Sequence, residues 1–218
     1  MRDQRQGWQA REFGTAHEGR VGVVLVDGST PRPVIFDIGS GTNFYESTDW
    51  RYHDGSWEYL VKAPRADALR TVCSCGWQGE AHPVATMPEL VAELDGAAAD
   101  AENESDAKDR HPWRALEDPA VCERDWAAHI AEVEHAAMQL PEDVARLLRQ
   151  VGDRLDVLAL DAPLAALRAV RLLHTTVGEA GANAATSARY DHDEATIGRA
   201  LGLPEKETTA CLYEYTRR

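Results

Sequence analysis

Short apolar runs separated by turn residues mark the first third of the chain. Val21 to Val26 is one run, closed by the turn pair Asp27-Gly28. Val34-Ile35-Phe36-Asp37-Ile38 is a second, closed by Gly39-Ser40-Gly41. Trp50-Arg51-Tyr52-His53 and Trp57-Glu58-Tyr59-Leu60-Val61 flank Asp54-Gly55, a pattern that predicts a hairpin. Leu69-Arg70-Thr71-Val72 completes the set. A small antiparallel sheet across residues 20–77 accounts for all of these runs.

The second half has a different period. Trp126, His129, Ile130 and Val133 share one helical face within Ala120 to Leu140. Pro141, with Glu142 and Asp143 after it, opens an amphipathic helix through Val144, Leu147, Leu148, Val151, Leu155 and Leu158. Asp161-Ala162-Pro163 breaks it and starts another, through Leu164, Leu167, Val170, Leu173 and Val177. That helix is expected to end near Gly178 to Gly181 or to continue, bent, toward Tyr190. Asp191 or Asp193 caps a third helix, Gly202 ends it and Pro204 begins the last. Between the halves, residues 95–110 carry no large apolar side chain and read as a solvated loop.

Charge sharpens this division. The chain has 218 residues and a formal net charge of −14. Residues 86–140 hold 4 basic and 14 acidic groups. The chain as a whole lacks the cationic surface needed for non-specific nucleic-acid binding. Its last third is closer to neutral and leaves room for a local basic face. The acidic 86–140 region suits a basic protein partner. Met1 to Gly7 holds no apolar leader-like stretch, and no run of about 18 apolar residues exists. We therefore expect a cytoplasmic protein without membrane association. Its four cysteines are then reduced, and either buried or metal-bound.

Cys73 and Cys75, in Val72-Cys73-Ser74-Cys75-Gly76-Trp77, are the main candidates for chemistry. Two thiolates one residue apart can reach one ion if the chain turns tightly, and Gly76 supplies that freedom. A structural zinc needs four nitrogen or sulfur ligands. The other two must come from elsewhere. His129 is the first choice, with Trp126 one turn before it as a roof. The fourth is His82 or His135, and Cys122 is a weaker candidate. His129 and His135 point about 120° apart on a regular helix, which favours His82. The competing reading is a pair of small buried cysteines beside Trp77. Cys73-Ser74-Cys75-Gly76-Trp77 followed by Trp126-Ala127-Ala128-His129 resembles a zinc-finger-like module common in uncharacterised actinobacterial proteins. The resemblance covers roughly residues 50–135. It implies Cys73, Cys75 and His129 as ligands of a structural zinc.

Ala195-Thr196-Ile197-Gly198-Arg199-Ala200-Leu201-Gly202-Leu203-Pro204 has the parts of a helix-turn-helix. Gly198 allows the helices to touch, Ile197, Leu201 and Leu203 face inward, and Gly202 tolerates positive φ. The segment resembles the helix-turn-helix of actinobacterial regulators, often written Trp-x-x-Ile-Gly-x-Ala-Leu-Gly. Here Ala195 stands close to the usual aromatic position. The resemblance implies a recognition helix over Glu205 to Tyr215 and DNA as a partner. Lys206, Thr208, Thr209 and Arg217 are the candidate nucleic-acid contacts. Glu205 and Glu207 face phosphates unfavourably.

Taken together, the expected fold class is α+β. A small antiparallel β-rich zinc-binding part (1–94) precedes an acidic linker or loop (95–112). A helix that contributes to the zinc site (113–139) and an all-helical part (140–218) follow. The expected function is a non-enzymatic, cytoplasmic regulatory protein with a structural zinc that binds DNA through its last helices. The alternative is a protein-interaction or adaptor module that never touches DNA. No His-Glu-x-x-His or other catalytic frame is present in the sequence.

Overall fold

The computed structural model describes residues 7–37, 44–53, 63–92 and 116–216. The acidic segment 95–112 and the expected turn at Asp54-Gly55 lie outside the described residues, as does the second arm of that hairpin, Trp57 to Val61. The chain is α+β, and its two compact units are Met1–Ala131 and Glu132–Arg218.

In the first unit, strands β1 (Trp8–Gln9), β2 (Glu18–Val24), β5 (Ala68–Cys73) and β6 (His82–Pro83) form one antiparallel sheet in the order β1-β2-β5-β6. Strands β3 (Val34–Asp37) and β4 (Phe44–Ser47) pair separately. The β2–β5 register runs from Gly19 opposite Cys73 to Val24 opposite Ala68. Side chains alternate across a strand, so odd-numbered positions of both strands share one face. Val21, Val23, Leu69, Thr71 and Cys73 on that face are all buried. They join Val34, Trp50, Tyr52, Val84, Leu90, Leu116 and Cys122 in the core, apart from the polar Thr71 and from Cys73.

Trp50–His53 is a 3₁₀ turn and not the strand its composition suggests. All four residues are buried, so no in-out alternation exists to define a strand face. The Asp49 carboxylate accepts the Arg51 N–H, which bends the backbone at this point. The Arg51 guanidinium then reaches Asp118 at 2.8 Å and donates to the Leu116 carbonyl at 2.7 Å. It also pairs with Asp49 at 3.1 Å. This buried cation is fully engaged, and it fixes the chain just before helix α1 (Ala120–Ala136).

The second unit contains α2 (Glu142–Asp161), α3 (Pro163–Asp191), α4 (Glu194–Leu201) and α5 (Glu205–Thr216). Pro163 occupies the first turn of α3, where its missing N–H leaves no bond unmade. Helix α3 does not stop at its glycines but continues to Asp191. Gly181 there packs under the Tyr215 ring, with no room for a Cβ. Asp193 caps α4 by accepting the Thr196 N–H at 2.7 Å. Gly202, at φ 63°, ends α4 in the left-handed conformation. Ala185, Ile197 and Leu212 form the small core beneath α4 and α5, with Ala188 and Tyr215 against it. No described helix is long and apolar enough to cross a membrane.

Candidate metal centre

The end of β5 turns sharply at the cysteine pair. Gly76 N–H donates to the Cys73 carbonyl at 2.9 Å, and Cys73 N–H donates to the Trp77 carbonyl at 2.9 Å. Gly76 has φ 96°, which a side chain would strain. The turn leaves both sulfurs on one side. Trp77 N–H donates to the Cys75 sulfur at 3.4 Å.

The third candidate ligand comes from a segment with no metal-binding motif. His17 ends the 3₁₀ turn Gly14–His17 and is buried. The β2–β5 ladder carries it into place. Beyond Gly19 and Cys73, the Ser74 N–H donates to the Glu18 carbonyl at 2.9 Å. Glu18 N–H donates to the Ser74 hydroxyl at 2.8 Å, and that hydroxyl donates to the Thr15 carbonyl at 2.9 Å. Ser74 therefore clamps the cysteine turn to the turn that carries His17. The Nδ1 of His17 lies 3.7 Å from the Cys73 sulfur. Phe13 backs the imidazole edge-on, with centroids 5.5 Å apart.

The fourth candidate ligand, His129, projects from α1. Its Nε2 lies 3.4 Å from the Cys75 sulfur. The Trp77 indole is stacked on its ring, with centroids 4.3 Å apart and planes 5° from parallel. The roof is thus Trp77 and not Trp126. Trp126 packs instead over Gly19 and near Trp8, and a Cβ on Gly19 would overlap its indole. Two bonds set the height of α1 over the sheet. The buried Thr71 hydroxyl donates to the Cys122 carbonyl at 2.6 Å. His82 Nε2 and Asp125 Oδ2 are 2.7 Å apart.

One ligand atom from each of His17, Cys73, Cys75 and His129 lies within 4.8 Å of the other three. With Zn–S bonds of about 2.3 Å and Zn–N bonds of about 2.0–2.1 Å, the sulfur–nitrogen edge of a tetrahedron is about 3.6 Å. The two observed sulfur–nitrogen separations, 3.7 Å and 3.4 Å, bracket that value. The donor set can hold a metal ion such as zinc. Two thiolates also neutralise a divalent ion, which suits a largely buried site. Without metal, burial pushes the Cys73 thiol up to about 11, and the neighbouring Cys75 adds to the rise. A bound cation reverses that preference and displaces the proton.

The other sequence candidates fall elsewhere. His82 is held by Asp125, and so ties β6 to α1 one turn ahead of His129. His135 lies exposed in the last turn of α1, away from the cluster. Cys122, in the first turn of α1, is fully buried in the core, and burial, with Asp125 and Asp118 near, raises its thiol to about 11. In the second unit, Lys206 is exposed on α5. Thr208 is fully buried where α4 meets α5, and its hydroxyl donates to the Pro204 carbonyl at 3.0 Å. The same hydroxyl stands where a Cβ on Gly198 would go. Thr209 lies 3.1 Å from a Glu194 carboxylate oxygen. Arg217 lies outside the described residues. Of these four, Thr208 is therefore a packing residue and cannot reach a ligand from its present position.

His17 was legible only through strand register. It stands 56 positions from Cys73, and its one sequence signal is a histidine just before a strand that pairs with the cysteine strand. No family model matches the chain, and neither a curated protein nor a solved structure shows significant similarity to it.

Proposed function

We propose that this is a non-enzymatic interaction protein. Its first unit is stapled by a structural zinc, and its second presents helices to a protein partner. The observation that carries this reading is the exposure of leucines along the helical hairpin. Leu147 and Leu148 on α2 are 52% and 58% exposed, and Leu160, Leu164 and Leu167 around the α2–α3 connection are 87%, 82% and 67% exposed. Apolar side chains clustered in this way mark surfaces that another chain covers. Four protein ligands also fill a tetrahedral zinc, leaving no position for a reacting water. A structural role for the metal follows from that closure.

A DNA-binding regulator is the second reading. It is favoured by one specific feature, the α4–Gly202–α5 corner with the shape of a helix-turn-helix. The chemistry of α5 opposes it. Glu205, Glu207 and Glu214 are exposed on that helix against Lys206 alone, and Thr208 is buried. A phosphate backbone repels such a face.

Anisotropy titrations of the full chain with random and genomic DNA at low salt separate the two. The interaction reading expects no binding. Saturable binding that weakens with salt would overturn it. A companion comparison uses the native chain and its Leu160→Lys/Leu164→Lys variant as bait. A partner retained by the first and lost by the second is expected, and identical retained sets would count against the leucine surface.

A further inference from the structure

The even-numbered face of the β2–β5 ladder carries a feature that neither the metal nor the helices absorb. Arg20 opposes Val72 and Gly22 opposes Arg70, so these four residues share the side turned away from the core. Thr30 to Arg32, together with Thr48 and His53, wall a cleft of about 60 Å³ over them. That is several times the roughly 10–15 Å³ that admits one water. Among the described residues its lining holds three arginines, a histidine and two threonines, and no carboxylate.

The chain has 37 acidic and 23 basic residues, so three arginines gathered without a described acid stand out against its composition. Their partners among the described residues are neutral. Arg20 donates to the Thr48 hydroxyl at 3.0 Å, and Arg70 donates to the Gln78 side-chain oxygen at 2.9 Å. Arg32 is exposed. Neither Arg20, Arg32 nor Arg70 makes an ion pair with a described carboxylate. The Arg70 Nε is buried and has no hydrogen-bond partner. A buried charged donor left unpaired is costly, and like charges sharing a cleft repel. An anion between them relieves the repulsion. Guanidinium forks suit phosphate oxygens, and flanking hydroxyls supply the neutral donors of such sites.

We propose that this cleft is an oxyanion site for a phosphate group, free or as a monoester, bound by Arg20, Arg32 and Arg70 with Thr30 and Thr48. Gly22 lines the cleft, and a Cβ there would stand 3.0 Å from the Val72 side chain. The site lies on the opposite sheet face from Cys73, so it is separate from the metal centre. It does not depend on the interaction reading of the helices.

The test is a calorimetric or phosphorus-NMR titration of the zinc-loaded full chain with inorganic phosphate, chloride holding the ionic strength constant. One saturable site is expected. Loss of a charge-assisted hydrogen bond in Arg32→Gln or Arg70→Gln should weaken binding roughly ten- to a hundredfold. Arg146→Gln, on the helical unit, should bind like the native chain. Arg32 is exposed, so Arg32→Gln keeps the test decisive even if Arg70→Gln disturbs the sheet. A second arm with O-phosphoserine reports the source: tighter binding than inorganic phosphate identifies a monoester, and equal or weaker binding identifies the free ion. No saturable binding to the native chain, or equal binding by both cleft variants, would overturn the proposal.

Discussion

At the scale of single residues, the metal centre turns on which histidines touch sulfur. His17 and His129 do, at 3.7 Å and 3.4 Å, whereas His82 is bound to Asp125. These roles separate by experiment. His17→Ala should leave the purified chain well below one zinc per molecule, because an open corner exposes the ion to exchange. His82→Ala should keep one zinc per molecule, since it removes only a tether of α1. Elemental analysis after dialysis reads both, and equal depletion of the two variants would return His82 to the ligand set. Gly19 is the second sensitive point. A Cβ there overlaps the Trp126 indole, and α1 must shift to relieve the clash. We expect Gly19→Ala to destabilise the first unit by about 1–3 kcal/mol. Urea unfolding followed by tryptophan fluorescence measures it, and an unchanged midpoint would mean that α1 is free to move. Chemical identity made Cys73, Cys75 and His129 visible from sequence. His17 was invisible because its role depends on a ladder pairing residues more than fifty positions apart.

At the scale of elements, periodicity carried well where one face is buried and failed where all faces are. The stripe Trp126, His129, Ile130 and Val133 does lie on one side of α1, with His129 and Ile130 buried. Trp50–His53 misled because four buried residues in succession carry no period. The long helix α3 ran past its glycines because Gly181 accommodates a tyrosine from α5 and so does not break the helix. Sequence left Asp191 and Asp193 as equal candidates to cap α4, and the hydrogen bond to Thr196 selects Asp193. The Thr196 side chain first, and then the Thr196 N–H, hold the Asp193 carboxyl below the usual carboxylate range. A depressed carboxyl stabilises the fold above its unfolded pKa, and the contribution is lost as pH falls through the folded value. The melting temperature of the native chain should therefore exceed that of Asp193→Ala at neutral pH. The gap should close as the solution is acidified below 3.8. Asp193→Asn, which caps without titrating, should show less of this acid sensitivity. A gap that is constant with pH would remove the cap from the account.

At the scale of the whole chain, the two units rest on different foundations, and this predicts how the protein comes apart. The first unit has a modest core around Leu69 and Cys122, and four candidate metal ligands drawn from three separate stretches of sequence. Such a site is absent from the unfolded chain, so the free energy of metal binding is also free energy of folding. The second unit contains none of the four ligands and has its own small core of Ala185, Ile197 and Leu212. Removing zinc with a strong chelator should therefore lower the melting temperature of the first unit and leave that of the second nearly unchanged. Far-ultraviolet circular dichroism, dominated by helices α2 to α5, should keep most of its amplitude after chelation. Tryptophan fluorescence should shift in the same step, because Trp77 is stacked on His129 and Trp126 is packed against Gly19. Adding zinc back should restore that fluorescence in the native chain and fail to do so in Cys73→Ser/Cys75→Ser. A single transition seen alike by both probes would mean that the units unfold together. In that case the metal would stabilise the whole chain and not its first unit alone.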